Sequence, residues 1–294
     1  MSPGHNGTEL AESYELCRRL HARHGRSYYL ATRLLPRSKR YAVHALYGFA
    51  RYIDDIVDVP IADAPPTQRL DRIADLWREA LECGRTHHPV FAAAADTVRR
   101  YGIDPQLTED FLQAMRQDLT VSRYADWPDL ARYTWGSASV IGLEMAHVLG
   151  VRGDREHALR CAALLGEAFQ LTNFCRDYDE DRLRGRVYLP ESLFHEHGIE
   201  AGSADSPQLR AAIACAVRRA RGLYAEAEPG IALLDPAGRP CIRTAFALYQ
   251  GILDEIERAG YAVIGVRHAV PTSRKLSIVA RSVSGRRGPA ATTS

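Results

Sequence analysis

The sequence predicts an all-α fold, on the basis of three features of its 294 residues. Apolar residues recur every three or four positions in several long stretches, which is the periodicity of helices that bury one face. The alternating pattern of a strand is nearly absent, and the Pro- and Gly-containing breaks are short. No break resembles a domain linker and no repeat is visible, so we expect a single domain over 1–270 and a basic, flexible tail over 271–294.

Each predicted helix is supported by an apolar stripe between two breaks. The stripes include Leu16 and Leu20; Leu30 and Leu34; Val43, Leu46, Tyr47 and Ala50; Ile73, Leu76, Trp77 and Leu81; Leu164, Ala168 and Leu171; and Leu248, Ile252 and Ile256. The breaks lie at Pro36, 59–66, 102–105, 127–128, 150–154, 185–190, 202–207 and 236–240. This division predicts about eight to ten helices joined by short loops.

The composition is that of an ordinary globular protein and excludes several classes. With 46% apolar and 25% charged residues, wholesale disorder is excluded, and a net charge of +2 gives no reason to expect a nucleic acid partner. No apolar run reaches the roughly 18–20 residues of a membrane span, and the N-terminus has no signal-peptide pattern, so we expect a cytoplasmic protein. The six cysteines form no C-x-x-C pair and are expected to be reduced thiols.

A first cluster of carboxylates lies in the segment YGFARYIDDIVD (47–58). Asp54 and Asp58 are one helical turn apart on one face, and Asp55 lies beside them. The apolar residues around them indicate burial, and buried carboxylates need a partner. Magnesium, which takes oxygen ligands, is one such partner, and a solvated acidic patch near the helix end is the alternative.

A second cluster lies in the segment QLTNFCRDYDEDRLRGRVYLP (170–190). Asn173, Asp177 and Asp181 follow one another at intervals of four residues, so they are predicted to line one face of a single helix that ends near Gly185. The apolar residues upstream favour burial of this face and a ligand role for the three side chains. An exposed, charge-laced helix is the alternative.

A helical bundle can place the two acidic clusters on facing helices across a cavity. Two or three magnesium ions held there would clamp a diphosphate between the two acidic faces. Diphosphate leaves an allylic carbon only when its growing negative charge is neutralised, and the carbocation left behind needs an apolar pocket that excludes water. The paired clusters therefore indicate diphosphate chemistry.

Basic residues dominate the end of the chain. From Arg267 to Ser294 there are six Lys or Arg residues and no Asp or Glu. A solvated tail is the simplest interpretation. The alternative is contact with an anionic membrane surface or with substrate phosphates.

Four segments, in order, resemble the squalene/phytoene synthase family: RSYYLATRLLP (26–36), ALYGFARYIDDIVD (45–58), YTWGSASVIG (133–142) and NFCRDYDEDRLRGRVYLP (173–190). The resemblance runs from about Tyr14 to Arg267 and is greatest to the phytoene-forming bacterial members. It implies the isoprenoid synthase helical bundle with a large central cavity. It also implies head-to-head condensation of two geranylgeranyl diphosphates to phytoene through a cyclopropylcarbinyl diphosphate, in carotenoid biosynthesis, with two or three Mg²⁺ ions, Mn²⁺ as a substitute, and no NADPH.

The resemblance further implies roles for individual residues. The implied metal ligands are Asp54, Asp58, Asn173, Asp177 and Asp181, with Gln170 in support, and the implied diphosphate contacts are Ser27, Arg51, Arg176 and Arg267. The four ligand aspartates, Arg51 and Tyr249 are the implied catalytic residues. The implied cavity-lining residues are Tyr28, Tyr47, Tyr133 and Tyr249, and the small residues Ser137, Ala138 and Gly142 would leave room for a polyprenyl tail. Tyr28 stands where some relatives have Phe.

Two alternatives remain at this stage. A squalene, dehydrosqualene or presqualene diphosphate synthase would use farnesyl diphosphate on the same fold. A non-catalytic helical assembly protein should have lost acidic ligands, which this sequence retains. Whether the protein is a phytoene synthase or a squalene-type synthase, its expected partners are prenyl diphosphates. A hydrocarbon product suggests that it contacts a membrane peripherally.

Overall fold

Helices make up nearly all of the described chain. The computed structural model describes residues 3–58 and 64–284, with the side chains of 9–57 and 64–282. The helices are α1 (Pro3–His24), α2 (Arg26–Thr32), α3 (Arg37–Asp58), α4 (Pro66–Cys83), α5 (Pro89–Tyr101), α6 (Pro105–Gln117), α7 (Trp127–Thr134), α8 (Val140–Leu149), α9 (Arg155–Arg176), α10 (Tyr178–Leu183), α11 (Glu191–Glu196), α12 (Pro207–Ala227), α13 (Arg239–Arg258) and α14 (Thr272–Ser284). A π-helical turn, Trp135–Ser139, joins α7 to α8, and a 3₁₀ turn, Glu228–Leu233, follows α12. The all-α fold class is confirmed.

The chain is divided more finely than the predicted eight to ten helices. Of the fourteen α-helices in the described residues, α2, α7, α10 and α11 have eight residues or fewer. Helices this short complete about two turns, which is too little for an apolar stripe to repeat. The boundary at Gly25, between α1 and α2, is not among the predicted breaks.

Side-chain caps begin several helices at the predicted breaks. Asp104, Asp126 and Asp154 each accept a hydrogen bond from a backbone N–H in the first turn of α6, α7 and α9, at 2.9, 2.8 and 3.1 Å. Ser206 does the same for α12 at 3.0 Å. Each cap satisfies a backbone donor that has no partner within its own helix, which explains why the helices begin where they do.

Two groups of helices meet around the functional region. The central helix α9 packs against α8, α12 and α13, while α3 packs against α1, α5 and α8. The core is continuous across both groups and includes the fully buried rings of Trp77, Phe91 and Phe194. The two acidic segments therefore reach the centre of the molecule from different groups, with α3 carrying the first and α9 with α10 carrying the second.

Gly142 and Gly166 allow α8 and the π-helical turn to lie unusually close to α9. A Cβ atom on Gly142 would lie 2.1 Å from the backbone oxygen of Ala162, and one on Gly166 would lie 2.3 Å from that of Ala138. Neither position has room for a side chain. The small residues of this region therefore serve close helix packing as well as any role in a cavity.

Substituting Gly142 with alanine is expected to destabilise the protein by about 1–3 kcal/mol, because the added methyl group overpacks a backbone contact. Thermal unfolding of the purified protein measures the effect. Gly222→Ala is the control, since a Cβ there meets nothing within 4 Å and alanine is the better helix former by about 0.5–1 kcal/mol. Equal melting temperatures for the two variants would contradict the packing argument.

The second acidic segment does not form the single helix that its spacing predicts. Asp177, with φ −99° and ψ 10°, ends α9, and α10 begins at Tyr178. The break is small, because the Asp177 N–H still donates to the Asn173 oxygen at 2.8 Å and the Asp181 N–H to the Asp177 oxygen at 2.9 Å. Helix α10 ends at Leu183, two residues before the predicted stop. That stop is at Gly185, which has a φ of +81°.

The region assigned to a tail contains a helix. α14 packs against α13, with Ile278 buried between them and Arg274 paired with Asp254. This ion pair and the apolar contact hold the helix in place, which the charge pattern of the sequence does not reveal. Residues 285–294 of the predicted tail lie outside the described residues.

None of the helices in the described ranges is at once long enough and apolar enough to pass through a membrane.

Candidate active site

Two adjoining cavities occupy the centre of the bundle. The outer cavity has a volume of about 770 Å³, and the inner chamber has a volume of about 270 Å³. They share the residues at their junction, among them Tyr28, Tyr47, Ser137, Gln170 and Asn173. A ligand could therefore extend from one space into the other.

The outer cavity brings the two acidic segments together. Asp54 of α3 lines it, as do Asp177 and Asp181 at the junction of α9 and α10. Of the remaining predicted ligands, Asn173 also lines the cavity. Asp58 is the last residue of α3, and its side chain lies outside the described residues.

Asp177 is already paired with arginines. Its carboxylate accepts hydrogen bonds from Arg176 and from Arg267, each Nε at 2.8 Å. Burial alone would raise the pKa of Asp177, but the hydrogen bonds and charges of the two arginines outweigh it and lower the pKa. Asp177 is thus ionised and partly neutralised, which gives it a role in orienting arginines besides the predicted ligand role.

Asp181 is in the opposite situation. Burial and the nearby negative charges of Asp177 and Glu180 raise the pKa of its carboxyl to about 7. About two helical turns earlier in the chain, the Asn173 Oδ1 atom is buried and has no hydrogen-bond partner among the described residues. A buried carboxylate and an amide oxygen that has no hydrogen-bond donor suit a hard divalent cation.

The described residues contain no group of three or more His, Cys, Asp and Glu side chains close enough to hold a metal ion. The donors nevertheless fit magnesium in kind, since Asp54, Asn173 and Asp181 all present oxygen atoms to one cavity. Magnesium usually completes its coordination with waters and substrate phosphates. The predicted magnesium site stays a prediction, and four of its five predicted ligands line one cavity: Asp54, Asn173, Asp177 and Asp181.

Basic side chains also line the outer cavity. The predicted diphosphate contacts Ser27, Arg51, Arg176 and Arg267 are all present there. Arg51 donates to Asp55 at 2.5 Å, while its Nε is buried without a hydrogen-bond partner in the described structure. Further bases in the wall were not predicted: Arg26, Arg184, Arg186 and Lys275. Arg184 and Arg186 follow Asp181 by three and five residues. Their closeness to the second acidic cluster is the sequence signal that could have identified them as cavity residues.

Aromatic rings form the boundary between the two spaces. The rings of Tyr28 and Tyr249 stack with their centroids 4.7 Å apart, and Phe169 lies 4.5 Å from Tyr249. The ring of Tyr47 stacks on that of His21, with the two ring centroids 4.0 Å apart. Electron-rich ring faces at this junction can stabilise a cation that forms where the polar and apolar spaces meet.

Asp118 is a cavity residue that the sequence does not reveal. It lies in the connection after α6, it is buried, and it accepts a hydrogen bond from the Tyr133 hydroxyl at 2.7 Å and from the Tyr188 hydroxyl at 3.2 Å. Tyr133 also lines the outer cavity. Asp118 thereby fixes the orientation of a predicted cavity residue.

The inner chamber is apolar. The predicted tail-contacting residues Ala138, in the π-helical turn, and Gly142, on α8, line it together with Ala146. Leu149 and Leu165 add to the wall. The small residues leave the space open, and Gly142 also serves the helix packing described above. The chamber excludes water from whatever apolar group fills it.

The fold and the two cavities define a class of protein: an all-α protein in which a cavity lined by acidic and basic side chains adjoins an apolar chamber. Residues 21–276 match the family model described as squalene/phytoene synthase. The chain belongs to the squalene/phytoene synthase family, and the family and prenyltransferase class predicted from the motifs are confirmed.

Known proteins of the family resemble the chain over nearly its whole length. It is 38% identical to a phytoene synthase of Arthrospira platensis, covering 90% of this chain and 91% of the relative. It is 35% identical to a 15-cis-phytoene synthase of Synechococcus elongatus, covering 91% of both chains. Among solved structures, a dehydrosqualene synthase in complex with a ligand superposes with a TM-score of 0.86 at 23% identity, covering 96% of this chain and 99% of that one. The predicted isoprenoid synthase fold is confirmed.

Proposed function

We propose that the protein condenses two molecules of geranylgeranyl diphosphate head to head to form phytoene, through a cyclopropylcarbinyl diphosphate, in carotenoid biosynthesis. The observation that carries the proposal is the junction itself, where an outer cavity lined by carboxylates and arginines opens into an apolar chamber. The similarity to phytoene synthases over 90% of the chain favours the C20 substrate over its C15 homologue.

The outer cavity would bind the diphosphate groups. Arg51, Arg176 and Arg267 would contact the phosphate oxygens, since guanidinium groups match them in charge and geometry. Asp54, Asn173 and Asp181, with Asp58 and Asp177, would hold two or three Mg²⁺ ions, for which Mn²⁺ substitutes. When bound, magnesium supplies neutralisation of the charge on the departing diphosphate.

The residues at the junction would control the carbocation left on the prenyl chain. The faces of Tyr28, Tyr47 and Tyr249 would stabilise its charge, and the apolar chamber would keep water from capturing it. A double bond of the second prenyl chain then attacks the cation, and loss of a proton closes the cyclopropane ring. Ionisation, rearrangement and a second proton loss give phytoene, and no reductant forms part of the proposal.

Product analysis tests the proposal. The protein is incubated with Mg²⁺ and radiolabelled C15 or C20 diphosphate, with and without NADPH, and the products are separated by chromatography. We expect phytoene from the C20 substrate and no effect of NADPH. A C30 hydrocarbon from the C15 substrate in preference to phytoene would favour a squalene or dehydrosqualene synthase, and presqualene diphosphate alone would favour a synthase that stops after the first step. Absence of any product would favour a non-catalytic relative.

The cellular setting is part of the same proposal. We infer a cytoplasmic enzyme that contacts a membrane peripherally, because a C20 tail and a hydrocarbon product both partition into lipid. Recovery of the protein with added lipid vesicles after centrifugation tests this inference, and recovery in the supernatant whether or not vesicles are present would contradict it.

Asp118→Asn is expected to reduce turnover by about 10–100-fold with little change in KM, because a charged hydrogen bond to Tyr133 contributes about 1.5–3 kcal/mol. Tyr133→Phe should show a similar loss. The double variant should be no worse than the more impaired single variant, since both substitutions disrupt the same Tyr133–Asp118 hydrogen bond. Asp110→Asn is the control, because Asp110 accepts from the exposed Trp135 ring at 2.8 Å. Additive losses in the double variant would contradict a positioning role for Asp118.

A further inference from the structure

Two histidines form a hydrogen-bonded pair in the core beside the inner chamber. His21 of α1 and His44 of α3 are both fully buried. Their Nδ1 atoms lie 2.9 Å apart, so one imidazole donates a hydrogen bond to the other. Neither side chain lines the outer cavity, and neither is among the site residues that the sequence predicts.

His21 covers one face of an aromatic ring at the junction of the two cavities. Its ring is nearly parallel to that of Tyr47, with an angle of 10° between the two planes. Tyr47 lines both cavities, and His21 itself lines the inner chamber. The cavities therefore meet the part of the Tyr47 ring that His21 leaves uncovered.

The break between α1 and α2 leaves room for this stack. A Cβ atom on Gly25 would lie 2.7 Å from the Tyr47 ring and 2.8 Å from Cδ2 of His21. No side chain fits there, so the backbone at Gly25 closes on the edges of both rings. Tyr47 is thus confined by His21 on one face and by Gly25 at one edge.

The hydrogen bond to His44 determines how the His21 ring is turned. It selects one of the two flipped orientations of that ring and opposes tilting away from the stack. The His44 ring lies in turn against Tyr29, at 5.4 Å between centroids, and against Tyr41, at 6.3 Å. The Tyr29 hydroxyl accepts a hydrogen bond from Arg18 at 2.9 Å. The orientation of the His21 ring is thereby tied to a packed layer that spans α1, α2 and α3.

This pair carries a penalty that an apolar pair would not. With both rings neutral, one Nε2 bears a hydrogen and the other a lone pair. Neither Nε2 has a hydrogen-bond partner among the described residues, and buried polar atoms without partners destabilise a fold. Two apolar side chains would fill the space without that penalty. Packing alone therefore does not call for histidines at these two positions.

Both histidines are uncharged at neutral pH. Burial and the neighbouring His44 lower the pKa of His21 to about 3. Burial and the positive charges of Arg18 and Arg40 lower the pKa of His44 to about 4. A positive charge behind Tyr47 would compete for the negative face of its ring and repel a carbocation in front of it. The neutral pair has neither effect.

We propose that His21 and His44 are positioning residues that hold the Tyr47 ring at the junction with its electron-rich face towards the carbocation. The proposal rests on the proposed function, because the ionised prenyl chain is what the ring would stabilise. While Tyr47 is held, the second prenyl chain captures the cation. When Tyr47 is loosened, water reaches the junction, adds to the cation through its oxygen and loses a proton, which gives a prenyl alcohol in place of the hydrocarbon.

The partition of products between hydrocarbon and alcohol tests the proposal. The full chain is incubated with Mg²⁺ and radiolabelled geranylgeranyl diphosphate, and both products are quantified. In His21→Leu, which loses the stack and the hydrogen bond, phytoene turnover should fall by about 2–30-fold, which corresponds to one cation–π contact. KM should change little, and the alcohol fraction should rise. His44→Leu, which loses the hydrogen bond, should shift the products in the same direction.

Two further variants separate positioning from a general loss of stability. His21→Phe restores a flat ring on Tyr47, so its products should lie between those of His21→Leu and the wild type. His88→Leu is the matched control, because His88 packs on Tyr52 at 4.6 Å and on Phe91 at 4.2 Å and lines neither cavity. It should keep the wild-type partition. If His21→Leu does not fold, the double variant His21→Phe, His44→Leu takes its place, since it leaves no unpartnered ring nitrogen.

Ring flipping of Tyr47, followed by NMR in protein labelled on tyrosine, gives a readout that does not depend on turnover. Flipping should be slow in the wild type and faster in His21→Leu. Unchanged flipping and an unchanged partition in folded His21→Leu would overturn the proposal, as would an equal shift of products in His88→Leu. Faster flipping in His21→Leu, with no hydrocarbon from the wild type, would contradict the proposed function and leave the positioning of Tyr47 standing.

Discussion

Asp181→Asn is expected to reduce turnover of geranylgeranyl diphosphate by at least about a thousandfold, since charge stabilisation of the departing group is the largest contribution to such a reaction. The Asp181 carboxylate lines the outer cavity with Asp54. Its charge is therefore available to a cation. Asparagine keeps the shape and removes that charge.

The same substitution is expected to stabilise the metal-free protein at pH 8. Burial, Asp177 and Glu180 raise the pKa of Asp181 from 3.8 to about 7 in the folded state. Because the folded pKa is above the unfolded one, ionisation of Asp181 opposes folding. The penalty is absent below pH ~4, grows as the pH rises towards 7, and stays constant above that. Asparagine removes it, so the gain in melting temperature should shrink as the pH falls towards 4.

Two measurements check this prediction together. Steady-state assays give the loss of turnover, and thermal melting in a chelator gives the gain in stability. Magnesium with inorganic pyrophosphate should raise the melting temperature of the wild type but not that of Asp181→Asn, by linkage between binding and folding. Asp179→Asn is the matched control two residues away, because its amide oxygen can still accept the Gly265 N–H. Near-normal turnover in Asp181→Asn would contradict the ligand assignment.

The parts of the site that the sequence predicts are those defined by local spacing. Asp54 and Arg51 are three residues apart on one helix, so their common direction follows from helical geometry alone. Asn173, Asp177 and Asp181 likewise share a cavity, even though the helix breaks at Asp177, since the hydrogen bonds on either side of the break keep the register. Residue spacing along a helix therefore still predicts which side chains share a face when the helix is slightly irregular.

The parts that the sequence does not predict depend on distant contacts. Asp177 and Arg267 are ninety positions apart, and their hydrogen bond arises from the path of the chain after α13. Asp118 meets Tyr133 across the connection between α6 and α7. The docking of α14 on α13 depends on Arg274 and Asp254, whereas the sequence shows only a run of bases. The periodicity of the sequence cannot reveal such pairings, because each one depends on how distant segments pack in the tertiary structure.

Ala146→Phe is expected to change the choice between substrates. Ala146 lines the inner chamber nine residues along from Ser137, which lies at the junction of the two cavities. At 1.5 Å per residue this is roughly 13 Å deeper. A phenyl ring there would fill the far part of a chamber of about 270 Å³. We expect the end of a C20 tail to reach that part, and a C15 tail, one isoprene unit shorter, to end before it.

We expect kcat/KM for the C20 diphosphate to fall by about 10–200-fold, which is the range that one misfitting apolar group gives in a pocket. The fall for the C15 diphosphate should be much smaller. Competition between the two labelled substrates measures the ratio directly. Ala131→Phe, at an exposed alanine of α7, controls for the added ring. Ala146→Val provides a smaller increase in volume if the phenylalanine variant folds poorly, and its shift should have the same direction. Equal losses for both substrates would show that the inner chamber does not hold the end of the prenyl tail.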